Sequence, residues 1–259
     1  VFLRVLGDSL GAARSASDML LPTEDLSALF PDAAIAYLEK HGGRMLGGSR
    51  IRALARNDAG WHLCGDAFNE SFSQVVIATN PAVASDLLSP LDASWAKRLA
   101  FTYEPITTCY LQYAPTLRLK RPFYALEDDA ASGHWGQFVF DRGQLDASQA
   151  GLLAVVISAS SEAIALGQHA LIEAICAQLE KAFVRSELAS PAWTQLITEK
   201  RATFSCTPDL SRPDNATGLP GLWLAGDYTE GPYPATLESA VQSGLKAAGL
   251  ALQAISRVT

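Results

Sequence analysis

The chain has 259 residues, 49% of them hydrophobic and 18% charged, with a formal net charge of −7 at pH 7. That is enough chain for one large domain or two interlocked ones around a buried core, and the composition argues against intrinsic disorder. The acidity is spread along the sequence and argues against a nucleic-acid backbone as the main partner, since counterion release needs a basic surface.

Residues 1–30 read as a short helix, a loop and the segment LLPTEDLSALF, in which Pro22 and Thr23 precede a helical turn. DAAIAYLEKHGG follows as a helix, with Ile35, Leu38 and the alanines on an apolar face and a stop at Gly42-Gly43. RMLGGSRIRALARN, GWHLC and SFSQVVIATNP read as three or four short strands of an antiparallel meander that ends in a near-continuous buried strand, QVVIAT. Asn80-Pro81 opens a helix through Leu88. PITTCYLQY, GQFVFDRG and GLLAVVISAS are strands of one sheet. A long amphipathic helix near 168–188 carries Leu171, Ile175, Leu179 and Phe183 at a spacing of four, and WTQLITEKRATF is a further strand candidate. The proline-rich loop SCTPDLSRPDNATGLP then delivers the chain to LWLA, residues 222–225. This mixed order, with one meander inserted, predicts an α/β (mixed α+β) protein of two interleaved domains.

The four cysteines, Cys64, Cys109, Cys176 and Cys206, form no CxxC pair. They read as free thiols in a reducing compartment, buried at Cys109 and Cys176. The four histidines have no partner at metal-ligand spacing, so no metal site is expected. No run reaches the ~18 apolar residues of a membrane-spanning helix, and no signal peptide is seen. The chain begins at Val1, and the expectation is that it is a piece of something longer.

The most informative stretch is GLWLAGDYTEGPYPATLESAVQSGLKAA, residues 221–248. LWLA suits a buried central strand, and the helix after it carries Leu237, Ala240, Val241, Gly244, Leu245 and Ala248 on one face. That face is expected to pack, with Ala240, Gly244 and Ala248 allowing close approach. Thr236 is placed to cap the helix, whose N-terminus offers unpaired N–H groups and partial positive charge. Asp227, after Gly226 at the strand end, is an acceptor for sugar hydroxyls. Two readings stand on these residues alone: the edge of a cofactor site, or a tight turn joining strand to helix.

LAGDY…GPYPATLESAVQSGLKAA resembles the C-terminal flavin-contacting motif of the amine oxidase and phytoene desaturase superfamily. With LLPTEDLSALFPDAA, YEPITTCYLQY, VFDRGQ…GLLAVVISAS and EKRATF, the chain is similar to the squalene-associated FAD-dependent desaturases, which include the hydroxysqualene dehydroxylases. The resemblance runs from about Leu20 to Ala248. It implies the C-terminal portion of that fold, in which 31–85 and 218–259 are the remnant of an FAD-binding domain and 1–30 and 86–217 the substrate domain. The family opens with a βαβ unit carrying GxGxxG, which this sequence lacks; GAARSAS and GGRMLGG do not follow a strand and open a helix at the right spacing. The expectation is therefore that this chain alone is inactive and that tight FAD binding requires that unit as well.

Residue by residue, the resemblance implies that Asp227 bonds the ribityl or pyrophosphate part of FAD and that Gly226 gives close approach. The Leu237 N–H, beside Thr236, would face the flavin C2 carbonyl. Ile51 corresponds to the position whose backbone meets the adenine, and Ala78 to Pro81 to a strand end that returns to the cofactor. Tyr228 and Tyr233 are candidate walls of the flavin face, with plain packing the alternative for each. Lys200 and Arg201 end a strand, and Arg201 is kept as the catalytic candidate, with a surface ion pair as its alternative. The implied substrate is an apolar isoprenoid, most simply hydroxysqualene undergoing reductive dehydroxylation. A carotenoid desaturase, an amine oxidase relative and a cofactor-free lipid-binding or inert fragment are the alternatives. Such a substrate implies a cytoplasmic protein in peripheral contact with the membrane.

Overall fold

The computed structural model describes residues 2–257. In chain order the helices are α1 (Phe2–Ser9), α2 (Leu26–Leu29), α3 (Pro31–Lys40), α4 (Pro81–Leu88), α5 (Ser94–Arg98), α6 (Ser161–Ala165), α7 (Gln168–Phe183) and α8 (Leu237–Ser256). The strands are β1 (Ile51–Asn57), β2 (Gly60–Gly65), β3 (Asn69–Phe72), β4 (Val75–Ile77), β5 (Tyr103–Gln112), β6 (Phe123–Ala125), β7 (Phe138–Asp141), β8 (Leu152–Ser158), β9 (Trp193–Phe204) and β10 (Leu222–Leu224). The mixed α/β character matches the sequence reading. Residues 44–50, expected to begin a strand, form none, and α7 stops at Phe183 where Val184 enters the left-handed region at φ 54°.

Two compact units divide the chain: 1–18, 44–102 and 204–259 make one, and 19–43 with 103–203 make the other. The seams expected from the sequence lay at 30/31, 85/86 and 217/218.

The second unit is a five-stranded sheet in the order β6-β7-β8-β5-β9 with α7 among its core elements. β5 alternates strictly, burying Pro105, Thr107, Cys109 and Leu111 on one face. Antiparallel pairing sets Cys109 opposite Val155 and Leu111 opposite Leu153, and Val139 of β7 pairs with Val155. Leu171, Ile175 and Leu179 of α7 complete this core at one residue per helical turn. Each such fully buried aliphatic side chain contributes about 1.5–3 kcal/mol by leaving water. Burial pushes the Cys109 thiol up to about 12, with Cys176 nearby adding to it, so these cysteines behave as core residues. α3 departs from expectation, since Leu38 is exposed and only Ala34 and Ile35 are half-buried.

A buried carboxylate closes the sheet's end. Asp141 Oδ2 accepts from the Leu119 N–H at 2.9 Å and from Gln144 Nε2 at 2.7 Å, so the chain entering β6 is tied to the end of β7.

The first unit contains the meander β1-β2-β3, with Leu54 opposite Leu63 and the buried Trp61 opposite Phe72. Trp61 donates its indole N–H to the Pro220 carbonyl at 2.9 Å. Asn80 caps α4 by accepting from the Val83 N–H at 3.0 Å, with Pro81 at the first helical position where its missing N–H costs nothing. β4 and β10 form a parallel pair, Val75 beside Leu222 and Ile77 beside Leu224. Gly221, just before β10, has φ +78°, and a Cβ there would lie 2.6 Å from the Ser73 carbonyl oxygen; only glycine lets the two chains meet.

α8 packs on β10 and β4, but through the face opposite to the one its apolar periodicity predicts. Ser239, Ser243 and Ala247 are buried, whereas Leu237 is 78%, Val241 52% and Leu245 70% exposed. The reason is polar: the strand end and the turn beneath the helix carry hydrogen-bonding groups that hydroxyls satisfy and leucines cannot.

Two stability predictions follow from these contacts. Asp141→Ala strands the buried Leu119 N–H and removes one of the two bonds of Gln144 Nε2, and is expected to cost about 1–3 kcal/mol in urea unfolding; a loss too small to measure would remove Asp141 from the account. Ser243→Ala is expected to cost a similar 1–3 kcal/mol, roughly, while Leu245→Ala stays within about 0.5 kcal/mol. The reverse ranking would mean that α8 faces the other way.

Candidate functional site

The junction from β10 through residues 226–236 to α8 is held from below by a buried polar knot. Asn215 Nδ2 donates to the Leu224 carbonyl at 2.8 Å, to the Ser243 carbonyl at 3.1 Å and to Ser243 Oγ at 2.8 Å. Ser243 Oγ also accepts from the Gly226 N–H at 3.0 Å. Thr229 donates its hydroxyl to the Gly226 carbonyl at 3.0 Å, so the 2.7 Å contact between the Thr229 and Ser243 hydroxyls is made with the serine as donor. Strand end, turn and helix are thereby locked together through side chains that are almost wholly excluded from water.

From the side, Arg212 holds the turn. Its guanidinium donates to the carbonyls of Asp227 at 3.3 Å, Tyr233 at 2.9 Å and Gly231, and it lies 5.8 Å from the Phe204 ring. A planar fork with five donors is suited to gathering several carbonyls of one turn. A cavity of about 630 Å³ opens beside it, lined by Val5, Phe204, Cys206, Leu210, Arg212 and Tyr233 among others.

The residues singled out from the sequence fall into three places. Gly226, Asp227, Thr236 and Leu237 are together at the junction. Thr236 caps α8, accepting from the Ser239 N–H at 3.1 Å, and the Leu237 side chain points to solvent while its backbone opens the helix. Asp227 is half-buried; desolvation raises its carboxyl above the ordinary carboxylate range, against bonds from the backbone N–H groups of Tyr228 and Asp227 and the charge of Arg212. A Cβ at Gly226 would meet the Tyr228 ring at 2.3 Å, so the close approach at this glycine is made by that ring. Tyr228 is 1% exposed and packs near Phe101, with centroids 6.3 Å apart, the packing alternative for this residue. Tyr233 donates to Asp8 Oδ2 at 2.5 Å under the guanidinium of Arg4.

Ile51 lies elsewhere in the same unit, at the start of β1. It lines a second cavity of about 460 Å³ with Leu63, Phe68, Phe72, Val75 and Val76. Arg201 belongs to the other unit, exposed on β9; its guanidinium sits 5.9 Å from the Tyr103 ring, and its backbone N–H donates to Glu199 Oε1 at 2.8 Å. Among the described residues no three or more His, Cys, Asp or Glu side chains gather as a metal site would require.

Arg212 and Asn215 were missed because SRPDN sits in a proline-rich loop that reads as a linker. The available signal was small: an Asn and an Arg directly before a buried strand, in a loop that proline holds rigid.

Comparison with known proteins places this geometry. The description "Flavin containing amine oxidoreductase" matches residues 16–252. The hydroxysqualene dehydroxylase of Sinorhizobium fredii is 27% identical over 96% of this chain, and that of Rhodopseudomonas palustris 29% over the same share. This chain covers 56% of each, so it spans about half the length of the curated relatives it matches. Among solved structures, the cyclohexylamine oxidase of Brevibacterium oxydans superposes with a TM-score of 0.56 at 16% identity, over 80% of this chain and 48% of that one, a likeness of fold. By the extent of the family match and the shared fold, the chain belongs to the flavin-containing amine oxidoreductases.

Proposed function

We propose that the full-length protein is an FAD-dependent oxidoreductase acting on an apolar isoprenoid, and that it removes the hydroxyl of hydroxysqualene to give squalene. The observation that carries the reading is similarity to two hydroxysqualene dehydroxylases along 96% of the chain. The unit holding the junction is assigned to the cofactor and the unit holding the five-stranded sheet to the substrate.

The junction suits a polyhydroxylated, anionic cofactor. Asp227 is a half-buried acid whose desolvation outweighs the donors around it, and sugar hydroxyls would supply the missing ones. The first turn of α8 presents backbone N–H groups and the positive end of a 20-residue helix, which favours an anion or a polarised carbonyl. Arg212 occupies three turn carbonyls and so keeps those acceptors directed away from a bound anion. In this reading Gly226, Asp227, Thr236 and Leu237 hold the flavin side of FAD, and Ile51 the adenine side. Tyr233 flanks the turn.

When bound, reduced FAD would supply the hydride that replaces the departing hydroxyl, which would leave as water with a proton, and an external two-electron donor would restore the flavin. An apolar substrate implies peripheral contact with the cytoplasmic face of a membrane. Among the described residues no helix is long and apolar enough to cross one.

The activity is tested by supplying the full-length protein with hydroxysqualene, FAD and a reductant and identifying the product by mass spectrometry. Squalene is expected, and unchanged hydroxysqualene or a desaturated product would overturn the assignment. Asp227→Ala in that protein is expected to weaken FAD binding about tenfold or more, the worth of one hydrogen bond to a charged group; an unchanged dissociation constant would take Asp227 out of the site. The same residue gives a pH signature in the present chain. A folded-state value raised above the unfolded one makes the charge destabilising at pH above the folded value, an effect that vanishes below the unfolded value. Asp227→Asn is therefore expected to raise the thermal midpoint at pH 7, with the gain fading as pH falls through the carboxylate range. A variant less stable than the parent at pH 7 would contradict this.

A further inference from the structure

The second unit carries a basic surface, although the chain as a whole has a formal net charge of −7. From Tyr113 to Leu126 the sequence holds Arg118, Lys120 and Arg121 and no carboxylate. Leu117 and Leu119 are buried in the core of the unit, while Arg118, Lys120 and Arg121 are exposed. Among the described residues none of these three cations has an ion-pair partner. Arg185, just past α7, joins them by donating to the Arg118 carbonyl at 2.7 Å, and it pairs with Glu187. Between the two segments lies a cavity of about 410 Å³, lined by Lys120, Arg185, Tyr124 and Phe183, with Glu127 as an acidic member. Four cations thus gather here with two carboxylates.

Beside Arg185 stands Val184, 90% exposed, the largest fraction of any large apolar side chain among the described residues. It ends α7 at φ 54° and ψ 48°. A β-branched residue enters that left-handed conformation at a cost, whereas Gly or Asn enters it readily. Neither packing nor backbone geometry calls for a valine at this position.

We propose that this surface docks the second unit on an anionic lipid bilayer, with Val184 entering the headgroup layer and Arg118, Lys120 and Arg121 meeting lipid phosphates. The occupant follows from the combination of charge and apolar tip. A bilayer offers phosphates and, just below them, acyl chains that receive an exposed valine. A nucleic acid offers the phosphates alone, and the acidity of the rest of the chain repels so extended a polyanion. Tyr124 and Phe183, edge to face with centroids 5.0 Å apart, line the adjoining cavity and suit the same boundary between polar and apolar layers. The inference deepens the reading of peripheral membrane contact given above and rests on it for its purpose, the delivery of an apolar substrate; the surface itself stands on its charge and exposure.

The test is cosedimentation of the full-length protein with vesicles of phosphatidylcholine alone, or with phosphatidylglycerol as about a third of the lipid. Binding is expected to be at least about tenfold tighter to the anionic vesicles, and to fall away at about 1 M salt, where the screening length is about 3 Å. Lys120→Glu with Arg121→Glu, both at exposed positions, is expected to weaken that binding at least about twentyfold, since each basic residue near such a surface is worth about fivefold. Val184→Asn, which suits the left-handed backbone and removes the apolar tip, is expected to weaken it about fivefold with the salt dependence kept. Circular dichroism confirms that the variants are folded. Turnover of detergent-dispersed hydroxysqualene needs no membrane and is measured apart, so loss of the dehydroxylase reading and loss of the docking surface give different results. No vesicle binding, equal binding to neutral and anionic vesicles, binding unchanged in either variant, or retention on heparin without vesicle binding would each overturn the proposal.

Discussion

One hydroxyl organises the junction. Ser243 Oγ receives the amide of Gly226 and the side chain of Asn215 and donates to Thr229, which in turn donates to the Gly226 carbonyl. Each partner comes from a different segment: the loop before β10, the strand end, the turn, and α8. A chain of hydrogen bonds in a dry interior strengthens its members and makes any vacancy costly. This knot therefore sets the height of the turn relative to the helix N-terminus more strictly than apolar packing would, because apolar contacts are not directional.

The orientation of α8 follows. A helix that must bring Ser243 against the backbone of Gly226 has to present small residues on that side, and Ser239 and Ala247 lie one turn either way. Its larger apolar residues are then left on the far face. The arrangement satisfies the polar groups of the strand end and exposes a greasy stripe that a solitary unit would bury if packing alone decided. Arg212 adds a second constraint from the side by tying down the carbonyls of the turn. What remains free of these ties is the first turn of α8, beside the half-buried acid of Asp227.

Much of the fold was legible because local and tertiary preferences agree there. WTQLITEKRATF is β9 to the residue, Asn80-Pro81 opens α4, and β5 and α7 bury the residues their periodicity selects. Thr236 was recognisable as a cap because capping is a matter of three neighbouring residues. Failures occurred where a long-range polar bond outranked periodicity. The stripe of Leu237, Val241 and Leu245 looks like a core face in any helical projection, and nothing local in TLESAVQSG says that a serine 17 residues after Gly226 will accept its amide. Arg212 and Asn215 act on groups between 9 and 28 residues away, so a loop composition masks them. For Tyr228 the sequence left a ligand wall and plain packing both open, and its ring packs over Gly226.

The most direct measurement is amide hydrogen exchange at Gly226, followed by NMR in the parent chain and in Ser243→Ala. If the serine hydroxyl holds the turn, Gly226 exchanges slowly in the parent, alongside Leu224 in the strand, and becomes fast in the variant while Leu224 stays protected. Fast exchange of Gly226 in the parent, or slow exchange unchanged by the substitution, would contradict the account of how this junction is built.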